Sequence, residues 1–270
     1  MVAPKRFKLM CVLAHPDDES LGMGGVLAKY AGEGVETYVV TATKGERGRS
    51  GSKEPLTLEA VGHLRAAELR AAATELGVRE VSFLGYCDGE LDRANPAEAI
   101  GKIVAQLRRV KPEVVLTFAP DGAYGHPDHV AICQFTTAAV ICAADSDYQD
   151  PDRRASHRVS KLYYLAWRKD KWAAYQAALR KLVIVVDGVE RQATPWPDWA
   201  VTTVIETGEF HAQVWRAVRC HQTQMEIYRQ LSHLSDEHHR SLWGSQEFYR
   251  AMSLVNGGRR LETDLFEGLR

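Results

Sequence analysis

The sequence predicts an α/β fold: a mostly parallel sheet with helices on both faces, followed by a smaller C-terminal α+β portion. Three observations carry this. From Lys8 to Ala144, short apolar or alternating runs take turns with longer helical stretches, the order that builds a parallel sheet. Two of the apolar runs lead directly into loops beginning His-Pro-Asp, as strands do when their carboxyl ends carry a site. The chain has 270 residues and is 45% hydrophobic, enough for one large α/β domain or one domain with an appendage.

The elements follow in order. Lys8 to Ala14 is the first strand, ending in Ala14-His15-Pro16-Asp17-Asp18-Glu19. Leu21 to Tyr30 is the first helix, stopped by Gly32 and Gly34. Its Gly22-Met23-Gly24-Gly25 cluster lacks the spacing of a dinucleotide loop and reads as a close approach of helix and sheet. Glu36 to Thr43 is strand two, followed by a glycine-rich basic loop from Lys44 to Ser52. Arg47 or Arg49 is placed there to hold substrate oxygens, or simply to solvate the loop. Thr57 to Leu76 is a strong helix, with Arg65 and Glu68 spaced as a structural pair. Glu80 to Leu84 is strand three; Asp88 after it faces the same rim or serves only an Asp-Gly turn. Asn95 caps a helix from Pro96 to Val110. Val114 to Ala119 is strand four, and Gly125-His126-Pro127-Asp128-His129 opens a helix reaching Ala144. Asp145 to Arg158 reads as a long loop or lid. Strands at Lys161–Trp167 and Lys181–Val186 flank a helix at Trp172–Arg180. The Thr194–Trp199 stretch offers tryptophans to a sugar-binding wall or to packing. Val201 to Glu206 reads as the last strand, Glu209 to about Arg229 as a long amphipathic helix, and Ser245 to Leu254 as helical. Residues 1–150 then form a core carrying the site, and residues 151–270 complete the pocket of the same domain.

Composition excludes several classes. A formal net charge of −1 gives no bulk attraction to nucleic acid or acidic membranes. No apolar run approaches membrane-spanning length, and the run before His15 is too short for a signal peptide. Five cysteines form no CxxC pair, which fits a reducing compartment and a cytoplasmic protein.

The paired loops carry the chemistry. Acids crowded at a strand end repel one another unless a cation joins them. His15 and Asp18, three apart, can bind one ion, and His129 from the second loop completes an open three-ligand set. Asp17 is then placed as general base for a metal-activated water, with His126 as proton donor to a leaving group and Asp128 favouring its protonated form. Tyr124 is placed to donate to an oxyanion. Such a set suits amide hydrolysis. Plainer readings exist for each residue: satisfied structural histidines, helix-terminus acids, a packing tyrosine. They explain residues singly, and not two His-Pro-Asp loops that each follow a strand.

These motifs resemble the LmbE-like (PIG-L) zinc-dependent de-N-acetylases, the family of the mycothiol and bacillithiol pathway deacetylases and of N-acetylglucosaminyl-phosphatidylinositol deacetylase. Thr43-Lys44-Gly45-Glu46, Arg65-x-x-Glu68 with Leu76-Gly77, and His221-Gln222-Thr223-Gln224 match further family motifs, with Thr223 where the family has serine. The resemblance implies a Rossmann-like sheet and one zinc held by His15, Asp18 and His129. It also implies Asp17 as base, His126 as acid or electrostatic stabiliser, Asp128 tuning His126, Tyr124 at the oxyanion, and His221 near the site in substrate or supporting contacts. An N-acetylglucosamine conjugate as substrate and assembly into homo-oligomers are family expectations. The rival expectations are a thiol-conjugate amidase of the same chemistry, a metallophosphoesterase, and a non-catalytic metal- or sugar-binding module. The His/Asp/His set would also accept iron(II) or cobalt.

Overall fold

The computed structural model describes residues 6–52, 54–179, 183–258 and 260–270. Lys8–Leu13 (β1), Glu36–Thr43 (β2), Glu80–Tyr86 (β3), Val114–Thr117 (β4) and Lys161–Leu165 (β5) are parallel strands in the spatial order β3-β2-β1-β4-β5. β1 is buried on both faces; Leu9 to Ala14 are wholly shielded, as a central parallel strand requires. Its register sets Cys11 beside both Val39 and Leu116, so the strands deliver their carboxyl ends to one rim.

The connecting helices are Asp18–Gly32 (α1), Leu58–Glu75 (α2), Pro96–Val110 (α3) and Pro127–Ala144 (α5), with the kinked turn Gly122–Gly125 (α4) ahead of the last. α3 and α5 begin where local chemistry says they should. Asn95 accepts the Ala97 and Glu98 N–H groups ahead of Pro96, and the His126 ring accepts the Asp128 N–H ahead of Pro127. α3 packs on α5 in one layer, while α1 and α2 pack on His211–Cys220 (α7) in the other. The Gly25 position is forced: a Cβ there would lie 2.7 Å from Thr207.

The C-terminal half departs from expectation in two of its long elements. Ser245–Ser253 is a strand (β9), not a helix. It lies antiparallel between β5 and Thr203–Glu206 (β8), so β8 is not the last strand. Its polar residues hid the pattern because they are buried brackets. Gln246 accepts the Val26 N–H and donates to Gly22 O, two groups that an i→i−4 helix bond would otherwise join. Glu247 accepts both the backbone and the guanidinium of Arg168. The long helix expected over 209–229 stops at Cys220 and gives way to 3₁₀ turns, because Thr223 and Gln224 bond to Glu68 and to the Arg49 carbonyl. Residues 145–158 form the expected long loop, and Arg108 of α3 donates to the Asp145 and Tyr148 carbonyls, fixing it to the flank of the core.

Lys169–Leu179 (α6) and a separate hairpin, Val183–Val186 (β6) with Val189–Gln192 (β7), stand beside the rim, and Asp236–Trp243 (α8) precedes β9. β7 and α8 were not legible in the sequence. Arg180, Lys181 and Leu182, within the helix and strand expected there, lie outside the described residues. Among the described residues no helix is long and apolar enough to cross a membrane.

Candidate active site

In an open α/β sheet, ligands sit where the strand order reverses. Here that point lies between β1 and β4, and the two His-Pro-Asp loops meet there at the floor of a cavity of about 340 Å³. Its polar floor includes His15, Asp17, Asp18, Tyr124, His126 and His129; its far wall includes Leu165, Trp167, Tyr175, Val183 and Ile227.

His15 Nδ1 lies 3.2 Å from His129 Nε2, and the two carboxylate oxygens of Asp18 lie 3.8 Å and 3.4 Å from those nitrogens. Three donors therefore converge, two from the turn after β1 and one from the start of α5. Each ring is fixed from behind. His129 Nδ1 faces the Gly122 carbonyl at 3.2 Å, leaving its Nε2 lone pair inward, and Phe118 stacks on the ring at 3.8 Å. His15 Nε2 sits between Asp128 at 3.0 Å and Asp88 at 3.1 Å, leaving Nδ1 inward. A histidine backed by a carboxylate is the usual support of a metal ligand. The donor set and its backing fit a transition-metal cation.

The electrostatics agree. Burial alone would lower the pKa of His15, but Asp128, Asp88 and Asp18 overcome it and push it up to about 10. Burial would raise Asp18; the two imidazoles hold it well below the usual carboxylate range.

Asp128 supports both rings. Its oxygens accept from His15 Nε2 and from the Gly89 and Leu91 N–H groups, its N–H donates to the His126 ring, and its charge opposes the lowering of the His126 pKa. Beyond the expected link to His126, it backs His15 directly. Asp128→Asn should accordingly weaken metal affinity about 10–100-fold, measured by competition with a chromogenic chelator.

Asp17 leaves α1 at its N-cap with φ 102° and ψ −25°, a left-handed conformation that costs a residue with a Cβ about 1–3 kcal/mol. Its side chain caps nothing. One oxygen accepts from Arg65 Nη2 at 3.0 Å and from the Tyr228 hydroxyl at 2.7 Å. Burial raises its pKa, with Arg65 opposing. Arg65 also donates to the Gly45 and Pro16 carbonyls, crossing so close beneath the β2 loop that a Cβ at Gly45 or Gly48 would collide with its guanidinium. Arg65 and Glu68 are therefore not a pair; Glu68 binds the backbone and hydroxyl of Thr223.

His126 lies against both ligand rings, 4.8 Å from His15 and 4.7 Å from His129 between centroids. Burial and those neighbours lower its pKa to about 3. Since its Nδ1 accepts the Asp128 N–H, the neutral ring carries its proton on Nε2. Tyr124 follows the strained Ala123, at φ 64°, and burial pushes its hydroxyl pKa up.

Two expected substrate contacts are placed otherwise. Arg47 is half exposed outside the cavity lining, its guanidinium engaged by Glu90 and the Asp88 carbonyl. His221 is wholly buried beneath the first loop against Glu19. Arg49 pairs with Glu226 at the surface. Of the tryptophans proposed for a sugar wall, Trp196 binds Asp121 and lines a small side cavity, and Trp199 is exposed; Trp167 and Tyr175 face the main cavity instead. Asp88, Arg65 and Tyr228 complete the floor. Arg65 is visible in the sequence as a motif residue and Asp88 as a rim or turn residue; nothing local marks Tyr228.

Residues 10–140 match the family model for PIG-L, GlcNAc-PI de-N-acetylase. A deacetylase of 1D-myo-inositol 2-acetamido-2-deoxy-α-D-glucopyranoside from Streptomyces avermitilis is 33% identical, over 97% of this chain and 97% of that one. The chain belongs to the PIG-L de-N-acetylase family. A Frankia casuarinae deacetylase of the same substrate is 34% identical over 97% of this chain and 95% of its own. Like other PIG-L proteins the chain is an amide hydrolase, a deacetylase. Solved structures share the fold. N,N'-diacetylchitobiose deacetylase from Pyrococcus horikoshii superposes with TM-score 0.67 at 19% identity, covering 90% of this chain and 83% of that one. A 4-carboxy-2-hydroxymuconate hydratase from Pseudomonas putida superposes with TM-score 0.68 at 20% identity, covering 93% and 99%. The fold thus occurs in a hydratase as well as in deacetylases, so likeness of fold alone does not name a substrate.

Proposed function

We propose that the protein removes the N-acetyl group of an N-acetylglucosamine conjugate in a zinc-dependent hydrolysis. The observation that carries this is the convergence of His15, Asp18 and His129 beside the clamped carboxylate of Asp17. Three donors of this type with Asp17 left uncoordinated match a catalytic rather than a closed structural site. Bound zinc would polarise the amide carbonyl and acidify a water.

The chain's own residues do the rest. Arg65 and Tyr228 hold one oxygen of Asp17, and the other takes the proton of the attacking water. Asp17 then returns that proton to the amine as the C–N bond breaks, releasing acetate and the free amino sugar. Neutral His126 donates its Nε2–H to the developing oxyanion, a stabiliser before it is an acid, and Tyr124 donates beside it. The apolar wall of Leu165, Trp167, Tyr175, Val183 and Ile227 receives the sugar face and aglycone. In this reading residues 1–150 supply the reacting groups and residues 151–270 the wall, within one domain. A cytoplasmic setting suits the five free cysteines.

The test is acetate release from a panel of N-acetylglucosaminides, the myo-inositol glycoside of the relatives included, with one zinc per chain verified beforehand. Acetate from at least one glucosaminide, with no phosphate from model esters, is the expected result. Zinc-loaded protein that releases acetate from none of them would overturn it.

A further inference from the structure

The sequence marks His221 as part of a motif, yet the structure keeps it out of the cavity. It is fully shielded, and its nearest partners belong to the first loop, 202 residues away in sequence. His221 Nε2 lies 2.8 Å from Glu19 Oε1, with the Ser20 hydroxyl also on that carboxylate. The other oxygen, Glu19 Oε2, accepts the backbone N–H of Asp17 at 2.9 Å. Among the described residues His221 Nδ1 has no partner, so the ring is held through one nitrogen, and that nitrogen serves Glu19.

This arrangement is unusual for a helix start. A glutamate reaching back to the N-cap N–H ordinarily does so from solvent. Glu19 does it with no exposure at all, and a carboxylate so buried must be paired. The residue it reaches is the one with the left-handed backbone. The neighbouring loop groups are otherwise committed: Asp18 accepts the Ala14 and His15 N–H groups as well as facing the two imidazoles. The Asp17 N–H is held by Glu19, while its carbonyl accepts the Ser20 and Leu21 N–H groups of the first helical turn.

We infer that His221 and Glu19 form a positioning relay that holds Asp17 in its strained backbone conformation and so aims its carboxylate into the cavity. The relay rests on the reading of Asp17 as the base. Arg65 and Tyr228 fix the carboxylate from one side; the relay holds the N–H of the peptide from which it projects, and Arg65 holds the Pro16 carbonyl of that peptide. Losing His221 leaves Glu19 Oε1 buried without its imidazole partner; Glu19 then withdraws from the Asp17 N–H and the carboxylate swings. A displacement of about 1 Å at a reacting group lowers turnover by about 10²-fold. Substrate binding rests on other groups and stays.

The experiment compares His221→Leu, His221→Gln, Glu19→Leu, the His221→Leu/Glu19→Leu pair and Asp17→Asn in the zinc-loaded protein. His221→Leu and Glu19→Leu should each lower kcat by about 10²-fold, with KM within about twofold and one metal retained. His221→Gln keeps a donor at the same place and should recover most of the loss. The double variant should fall no further than either single, since both cut one link. Wild-type kcat in His221→Leu beside an inactive Asp17→Asn would overturn the relay. So would a loss that comes with metal release, or full additivity in the pair. Should His221→Leu not fold, a His221→Gln protein whose loss matches that of Glu19→Leu would also overturn it. An active Asp17→Asn would instead overturn the reading of the base.

Discussion

Asp17→Asn should lower kcat by about 10²–10⁴-fold while metal content and fold persist. The substitution keeps the shape of the side chain, and its amide oxygen can still accept from Arg65 and Tyr228, as the carboxylate does now. What it removes is the ability to take a proton. The Asp18, His15 and His129 donors are untouched, so metal per chain stays at one. Acetate release measured beside elemental analysis separates the two effects. A variant keeping more than about a tenth of wild-type kcat would exclude proton transfer by Asp17, because general-base catalysis contributes more than that.

His129→Ala should lose the metal, and with it turnover. His129 is the one ligand from the second loop, so removing it leaves His15 and Asp18 from a single turn. Two donors in place of three cost more affinity than a lost supporting contact, so the fall should exceed about 10²-fold. The site also loses its shape: the ring fills the space between Phe118 and His126, and its Nδ1 holds the Gly122 carbonyl of the loop that carries Tyr124. Metal content below about a tenth per chain after dialysis, with activity not restored by excess zinc, is the expected result. Retention of one tightly held metal would place the site elsewhere, and the cluster around His15, His126 and Asp128 would then be the place to look.

The parts of this protein that could be read in advance share a property: their causes are local. Asn95-Pro96 and His126-Pro127 set helix starts within three residues, and α3 and α5 have the expected bounds. Alternating strands and helices fixed the parallel order, and the order fixed the rim. His15 and Asp18 are joined by one turn; His129 was reached only because a second loop repeats the first. The failures share the opposite property. Ser245–Ser253 reads as helical because Gln246 and Glu247 are polar, and their burial makes sense only once α1 and Arg168 are beside them. Arg65 looks paired with Glu68 along the helix, but its guanidinium binds Asp17, 48 residues back.

By itself, then, the sequence determined the α/β class and the two loops whose His15, Asp18 and His129 come together in the fold. Side-chain type and spacing within a turn are sufficient physical causes for those. The tertiary structure alone decided who supports whom: Asp128 behind His15 as well as His126, Tyr228 on Asp17 across 211 residues, and His221 behind Glu19. Buried charges must find partners, and which partner is within reach depends on chain folding that no local pattern encodes.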